Sequence, residues 1–224
     1  EMFNSISKKY DFLNRFLSVG IDNFWRNKAL NELKSISPQH ILDVATGTAD
    51  VAIMASRKLN PKKITGIDIS EGMLEIGRKK IEKLNLQNQI ELMIGDSEAI
   101  KYPDHTFDAV TVAFGVRNFE NLEKGLQEIH RVLRKEGMVA ILEFSKPKYD
   151  WLKACYDWYS FQVIPKLGHL IANDAASYQY LVESIRMHPD QETLKAMMEQ
   201  AGFDKVEYYS LTGGIVALHI GYKF

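Results

Sequence analysis

Between residues 40 and 144, short apolar runs alternate with segments of helical spacing, and no other feature restricts the fold as much. The runs are 40–44 (HILDV), 64–69 (ITGIDI), 90–94 (IELMI), 107–113 (FDAVTVA) and 138–144 (MVAILEF). Their lengths suit strands better than helices. Ala49 to Lys58 reads as a helix, and so does Ser70 to Leu84, with Ser70 as its N-cap. Residues 120–134 put Leu122, Leu126, Ile129, Val132 and Leu133 at helical spacing, with Gly137 expected to close that helix. Apolar strands joined by helical crossovers imply an α/β fold: a doubly wound, mostly parallel sheet covered on both faces.

After Pro147 the pattern changes. An aromatic helical segment fills 149–186, a further helix runs to Ala201, and 205–211 and 215–222 flank "GG" at 213–214 as a hairpin. With no internal repeat or low-complexity linker, one domain over 1–224 is expected. Its parts are an N-terminal helical lid (1–38), a binding core (39–147), a helical insertion (148–190) and a final helix with an antiparallel hairpin (191–224).

Composition excludes several classes. Apolar residues make up 46% and charged residues 25%, as in an ordinary globular protein. A formal charge of −1 gives no case for nucleic acid. Lys79, Lys80 and Lys83 alternate with Glu75 and Glu82 and read as a solvated helix face. Cys155 is the single cysteine, so no internal disulfide forms and a reducing, cytoplasmic setting is expected. No secretory start or bilayer-length apolar run stands out. No His, Cys and carboxylate cluster has metal-ligand spacing, so no metal is expected.

The first strand-to-helix turn, in "LDVATGTADVA" at 42–52, is built from small residues and follows an acid. In doubly wound sheets this turn borders the ligand crevice. Gly47 permits close backbone approach and Thr48 adds a hydroxyl. Asp68 ends the second strand 21 residues later, where an acid can grip two ribose hydroxyls. "GDSEAI" places Asp96 and Ser97 at the end of the third strand. A nicotinamide cofactor would need G-x-G-x-x-G around its pyrophosphate, which is missing here. S-adenosylmethionine carries no phosphate, and Asp43 suits its ammonium. The expected cofactor is therefore S-adenosylmethionine, held by Asp43, Gly47, Thr48, Asp68, Asp96 and Ser97.

"D-x-A-x-G-T-A-D" followed by "GIDIS" resembles the class I S-adenosylmethionine-dependent methyltransferases, with their Rossmann-like fold. "KYDFLN" (9–14), "FGVRNF" (114–119), "LEFSKP" (142–147) and "GGIVALHIGYK" (213–223) are more specific. They resemble the C-methyltransferases of menaquinone and ubiquinone biosynthesis, from about residue 3 to the end. Ala45 and Ala49 stand where most methyltransferases have glycine, and Ala113 where many relatives have serine.

That resemblance implies transfer of a methyl group to a ring carbon of a prenylated quinol, most naturally demethylmenaquinol. It also implies that Arg117, Asn118 and Tyr10 form the catalytic group. A ring carbon becomes nucleophilic once a neighbouring hydroxyl, titrating near 10, loses its proton. Arg117 cannot serve as a base. It is expected to supply a fixed positive charge to the phenolate, with Asn118 orienting a ring oxygen or water and Tyr10 relaying the proton. A surface ion pair of Arg117 with Glu120 or Glu123 is the structural alternative. His169 and His188 fall in segments that should cap the cleft, where either could serve as a general base, although a structural role is the first reading. His219, within an apolar strand, reads as structural or behind the site. The aromatic insertion (Trp151, Tyr156, Trp158, Tyr159, Phe161) and the N-terminal segment would form a greasy lid for a prenyl tail. Peripheral contact with the inner face of the cytoplasmic membrane and a homodimer are both compatible with this reading. The alternatives are a benzoquinol ubiquinone precursor as substrate, a non-catalytic S-adenosylmethionine-binding protein and, more weakly, a nicotinamide oxidoreductase.

Overall fold

A computed structural model describes residues 21–147, 180 and 183–224. Tyr10, Cys155, His169 and the aromatic insertion fall outside the described residues. Helix α1 (Asp22–Leu33) and a 3-10 turn (Lys34–Ile36) lead into β1 (His40–Val44). Then follow α2 (Asp50–Leu59), β2 (Lys63–Asp68), α3 (Glu71–Lys83), β3 (Ile90–Ile94) and β4 (Phe107–Ala113). A 3-10 turn (Val116–Asn118), α4 (Leu122–Val132) and β5 (Leu133–Phe144) come next, then a helical stretch at 183–187. Helix α5 (Gln191–Gln200) and strands β6 (Lys205–Leu211) and β7 (Val216–Lys223) close the described chain.

The strands form one seven-stranded sheet in the order β3-β2-β1-β4-β5-β7-β6. All pairings from β3 to β5 are parallel, and β7 runs antiparallel to both β5 and β6. This is the class I methyltransferase fold, doubly wound with a terminal antiparallel hairpin. Strand order reverses between β1 and β4, so their carboxyl ends flank the crevice where such sheets hold ligands.

Alternation along each strand divides the core into two layers. On one face Ile41, Ile64, Ala109, Ala140 and Leu142 pack against Trp25, Leu30 and Leu33 of α1, Ala52 of α2 and Leu74 of α3. On the other, Leu42, Val44, Val110, Val112 and Ile141 meet Leu126 and Ile129 of α4 and Leu194 and Met198 of α5. Each fully buried Leu or Ile contributes about 1.5–3 kcal/mol of burial energy. The described part of the segment expected as a lid, α1, is thus part of the sheet's cover. Ser70 caps α3 as expected, its Oγ accepting from Met73 N at 3.4 Å. Asn121 Oδ1 likewise accepts from Lys124 N at 3.0 Å ahead of α4, and Asp190 Oδ1 from Thr193 N at 2.9 Å ahead of α5.

Gly137 does not close α4. The helix stops at Val132, Leu133 is already extended, and the strand carries Gly137 opposite Lys223. The register of β4 on β5 jumps from Phe107–Leu133 to Ala109–Met138, so residues 134–137 bulge out, with Glu136 left-handed at φ 61°. A Cβ on Gly137 would lie 2.7 Å from the Arg134 carbonyl oxygen and 3.0 Å from that of Asp108. The glycine marks a close backbone approach, not a helix end.

Candidate functional site

At the carboxyl edge of β1, β2 and β4 lies an open cleft of about 920 Å³, solvent mouth included. Its wall begins with the turn after β1. Ala45, Gly47 and Ala49 take left-handed conformations at φ 53°, 56° and 66°. Glycine adopts such angles freely, whereas alanine costs about 1–2 kcal/mol there. The turn is therefore strained at both positions where this chain replaces glycine.

Carboxylates hold the turn in place. Asp68, at the end of β2, accepts Gly47 N at 2.8 Å on Oδ2 and Ser70 N at 2.9 Å on Oδ1. Burial raises its pKa against the lowering effect of those backbone donors. Asp43, 2% exposed, accepts Thr111 Oγ1 at 2.5 Å and Thr46 Oγ1 at 2.6 Å, one on each oxygen. Burial pushes its pKa up to about 6, while the two hydroxyls and the Arg26 guanidinium favour the ionised form. Each carboxylate oxygen can accept a second hydrogen bond, so both acids keep acceptor capacity. Behind the turn, Lys80 Nζ donates to Thr48 Oγ1 at 2.7 Å and Asp50 Oδ1 at 2.8 Å, so this lysine points inward, not into solvent with its neighbours.

The opposite wall comes from the turn after β4, through Ala113, Phe114, Gly115, Asn118 and Phe119. Asn118 Oδ1 accepts from Tyr180 Oη at 3.3 Å. Arg117 lies behind this wall. Its Nη1 meets Glu143 Oε1 of β5 at 2.6 Å and donates to the Phe114 carbonyl at 2.8 Å, and both members of the ion pair are 1% exposed. Glu143 Oε2 also accepts Arg117 N at 3.3 Å, and the guanidinium sits 5.5 Å from the Phe144 ring centre. The partner is neither Glu120 nor Glu123, and the pair is buried, not on the surface. His188 is buried nearby. Burial lowers its pKa, Glu143 opposes that shift, and Arg117 and Lys146 add to it. His219 is structural: its Nε2 lies 2.9 Å from the Gln191 carbonyl oxygen, and burial brings its pKa down to about 4.

Of the residues expected at the site, Asp43, Gly47, Thr48, Asp68, Ser97 and Asn118 line one cleft. Asp96 is exposed at the rim, its Oδ1 accepting Glu98 N at 2.8 Å, and does not line the cleft. The sequence reading passed over Arg26, Thr46, Asp50, Thr111, Met73 and Glu143. Glu143 left a trace, because an acid inside "MVAILEF" must find a partner once buried. Arg26 left none, because its neighbours depend on how α1 crosses the sheet.

No helix among the described residues is long and apolar enough to cross a membrane. The fold resembles a SAM-dependent methyltransferase from Aquifex aeolicus, with TM-score 0.69, 23% identity and 97% of each chain covered. It also resembles a putative S-adenosyl-L-methionine-dependent methyltransferase from Methanococcus maripaludis, with TM-score 0.69, 19% identity, and 98% of this chain and 93% of the other covered. At the sequence level the chain is 46% identical to the ubiquinone/menaquinone biosynthesis C-methyltransferase UbiE of Cronobacter sakazakii, over all of this chain and 90% of that protein. The Escherichia fergusonii protein of the same name is also 46% identical, over all of this chain and 89% of its own length. With the ubiE/COQ5 family pattern matching residues 1–223 as well, the chain belongs to the ubiE/COQ5 methyltransferase family.

Proposed function

We propose that this protein transfers a methyl group from S-adenosylmethionine to a ring carbon of a prenylated quinol, with demethylmenaquinol as its substrate. The observation that carries the reading is the pair of acids in the cleft: Asp43, buried, and Asp68, partly buried, at the switch point, with no glycine-rich phosphate cradle. Such a set fits a nucleoside with cationic groups and disfavours a diphosphate. The left-handed Gly47 keeps the wall low where a side chain would press on Met73, 3.3 Å from the added Cβ.

Bound there, S-adenosylmethionine supplies an electrophilic methyl group on a sulfonium. Asp68 accepts the two ribose hydroxyls on the lone pairs left by Gly47 and Ser70. Ile69, 64% exposed yet lining the cleft, and Met73 offer an apolar shelf for the base. Asp43 accepts the ammonium. Holding two partners in attack geometry can be worth about 7–11 kcal/mol, so positioning is the main task. On the acceptor side, Asn118 orients a ring oxygen. Arg117 acts from behind: with its charge balanced by Glu143, it fixes the turn that carries Phe114 and Asn118. Tyr10 is the proposed proton relay. A prenyl tail keeps such a substrate in lipid, which favours action at the inner face of the cytoplasmic membrane.

The test is a mass-spectrometric methylation assay with demethylated naphthoquinol and benzoquinol side by side. We expect the naphthoquinol to be methylated faster. Methylation of the benzoquinol alone would move the assignment to the ubiquinone branch, a role that the relatives' names join to the menaquinone one. Methylation of neither ring would sink the reading.

A further inference from the structure

Three carboxylates, Asp43, Asp50 and Asp68, and one guanidinium, Arg26, line the cleft. Arg26 reaches it from α1, and only 9% of its side chain is exposed. Its Nη1 lies 3.0 Å from Asp22 Oδ2 and 3.5 Å from Asp50 Oδ2. Its Nε is buried with no hydrogen-bond partner among the described residues. A guanidinium presents five N–H donors in one plane, and its Nε–Nη2 edge fits a carboxylate through two parallel bonds. The two ion pairs engage Nη1 alone, so they fix the plane and leave that edge unspent. Asp50 does not depend on Arg26 for a counter-charge, since Lys80 Nζ sits 2.8 Å from its other oxygen.

The position of the edge matters as much as its vacancy. Arg26 is close enough to Asp43 to favour its ionised form. The cleft therefore sets a site for an anion beside a site for a cation, both on side chains largely withdrawn from solvent. An α-amino acid carries an ammonium and a carboxylate on one carbon and needs those two sites side by side. Resting on the cofactor assignment above, we infer that Arg26 binds the carboxylate of the cofactor's methionyl end, while Asp43 takes the ammonium. A purely structural arginine would have no reason to discriminate between ligands that differ only in that carboxylate.

Calorimetric titration with S-adenosylhomocysteine and with its decarboxylated counterpart separates the two cases. The wild-type protein should bind the carboxylate-bearing ligand more tightly, by about ten- to a hundredfold, as a charge-assisted pair implies. Arg26→Met should weaken S-adenosylhomocysteine by that factor, leave the decarboxylated ligand nearly unchanged, and so erase the preference. Arg26→Lys, which keeps the charge but loses the planar fork, should retain a preference several-fold smaller than the wild type's. Equal weakening of both ligands by Arg26→Met would overturn the inference, as would a preference undiminished from the wild type's in either variant. If Arg26→Met does not fold, the lysine variant decides alone. If both ligands bind the wild-type protein equally well, Arg26 fails while the cofactor reading stands. If the folded wild-type protein binds neither, the cofactor reading fails and takes Arg26 with it.

Discussion

The two turns that flank the cleft use charge in opposite ways. After β1, the carboxylates of Asp43 and Asp68 border the cleft and keep lone pairs to offer, although burial disfavours their ionised forms. After β4, Arg117 and Glu143 turn away and neutralise each other at 1% exposure. The first turn is strained and leaves its acids facing the cleft, and the second is braced from within. Charged residues at a site edge thus divide into those held ready and those consumed by the scaffold. Burial and partner decide which, and residue type does not.

The sharpest way to break this contrast is Glu143→Ala. Removing one partner of a buried pair strands the other charge and costs about 3–5 kcal/mol. Denaturant unfolding should show that loss, and a change below about 1 kcal/mol would mean the pair is not a brace. Asp68→Ala comes next. It removes the proposed acceptor for two ribose hydroxyls, each bond being worth about 1.5–3 kcal/mol, so S-adenosylhomocysteine affinity should fall at least tenfold by calorimetry.

Asp43→Asn sharpens the comparison by separating binding from stability. The amide can still meet both threonine hydroxyls but cannot balance an ammonium, so affinity should drop about tenfold. Stability should rise instead. The folded pKa of about 6 lies above the ordinary carboxylate value, so ionised Asp43 burdens the fold at neutral pH. That burden is relieved as pH falls from about 6 to about 4, and the substitution should recover up to about 3 kcal/mol at pH 7. Wild-type affinity should in turn be flat above pH 7 and weaken as pH drops through 6. A profile level down to pH 5 would refute the ammonium assignment. The smallest effect belongs to Ala45→Gly, which relieves a left-handed alanine and should stabilise by up to about 1 kcal/mol, net of the extra freedom of the unfolded chain. A lower melting temperature would show that the methyl group contributes more than the strain costs.

Strands β1, β3 and β4 were legible to the residue: β1 and β4 are mostly apolar because they are buried on both faces, and β3, a half-exposed strand at the sheet edge, still reads as a short apolar run interrupted by Glu91. Gly137 was misread because one glycine serves equally well as a helix stop and as a point of close backbone contact. Asp43, Gly47 and Asp68 were legible because the first two strand ends of a parallel sheet fix their place. The partner of Arg117 was not: Glu143 is 26 residues away along the chain, and only β4–β5 pairing brings it near. Arg26 was hidden for the same reason, across the crossing of α1 over the sheet.

Trp25 sits where these parts meet. Its indole is 3% exposed, its Nε1 donates to Thr212 Oγ1 at 2.9 Å, and its ring lies 6.2 Å from Phe114 of the cleft wall. It is one of three tryptophans, with Trp151 and Trp158. A chain carrying Trp151→Phe and Trp158→Phe would keep a single tryptophan, next in sequence to Arg26 and excitable apart from the tyrosines. Its emission would report, without any added dye, each time the joint between helix, hairpin and cleft wall loosens or tightens.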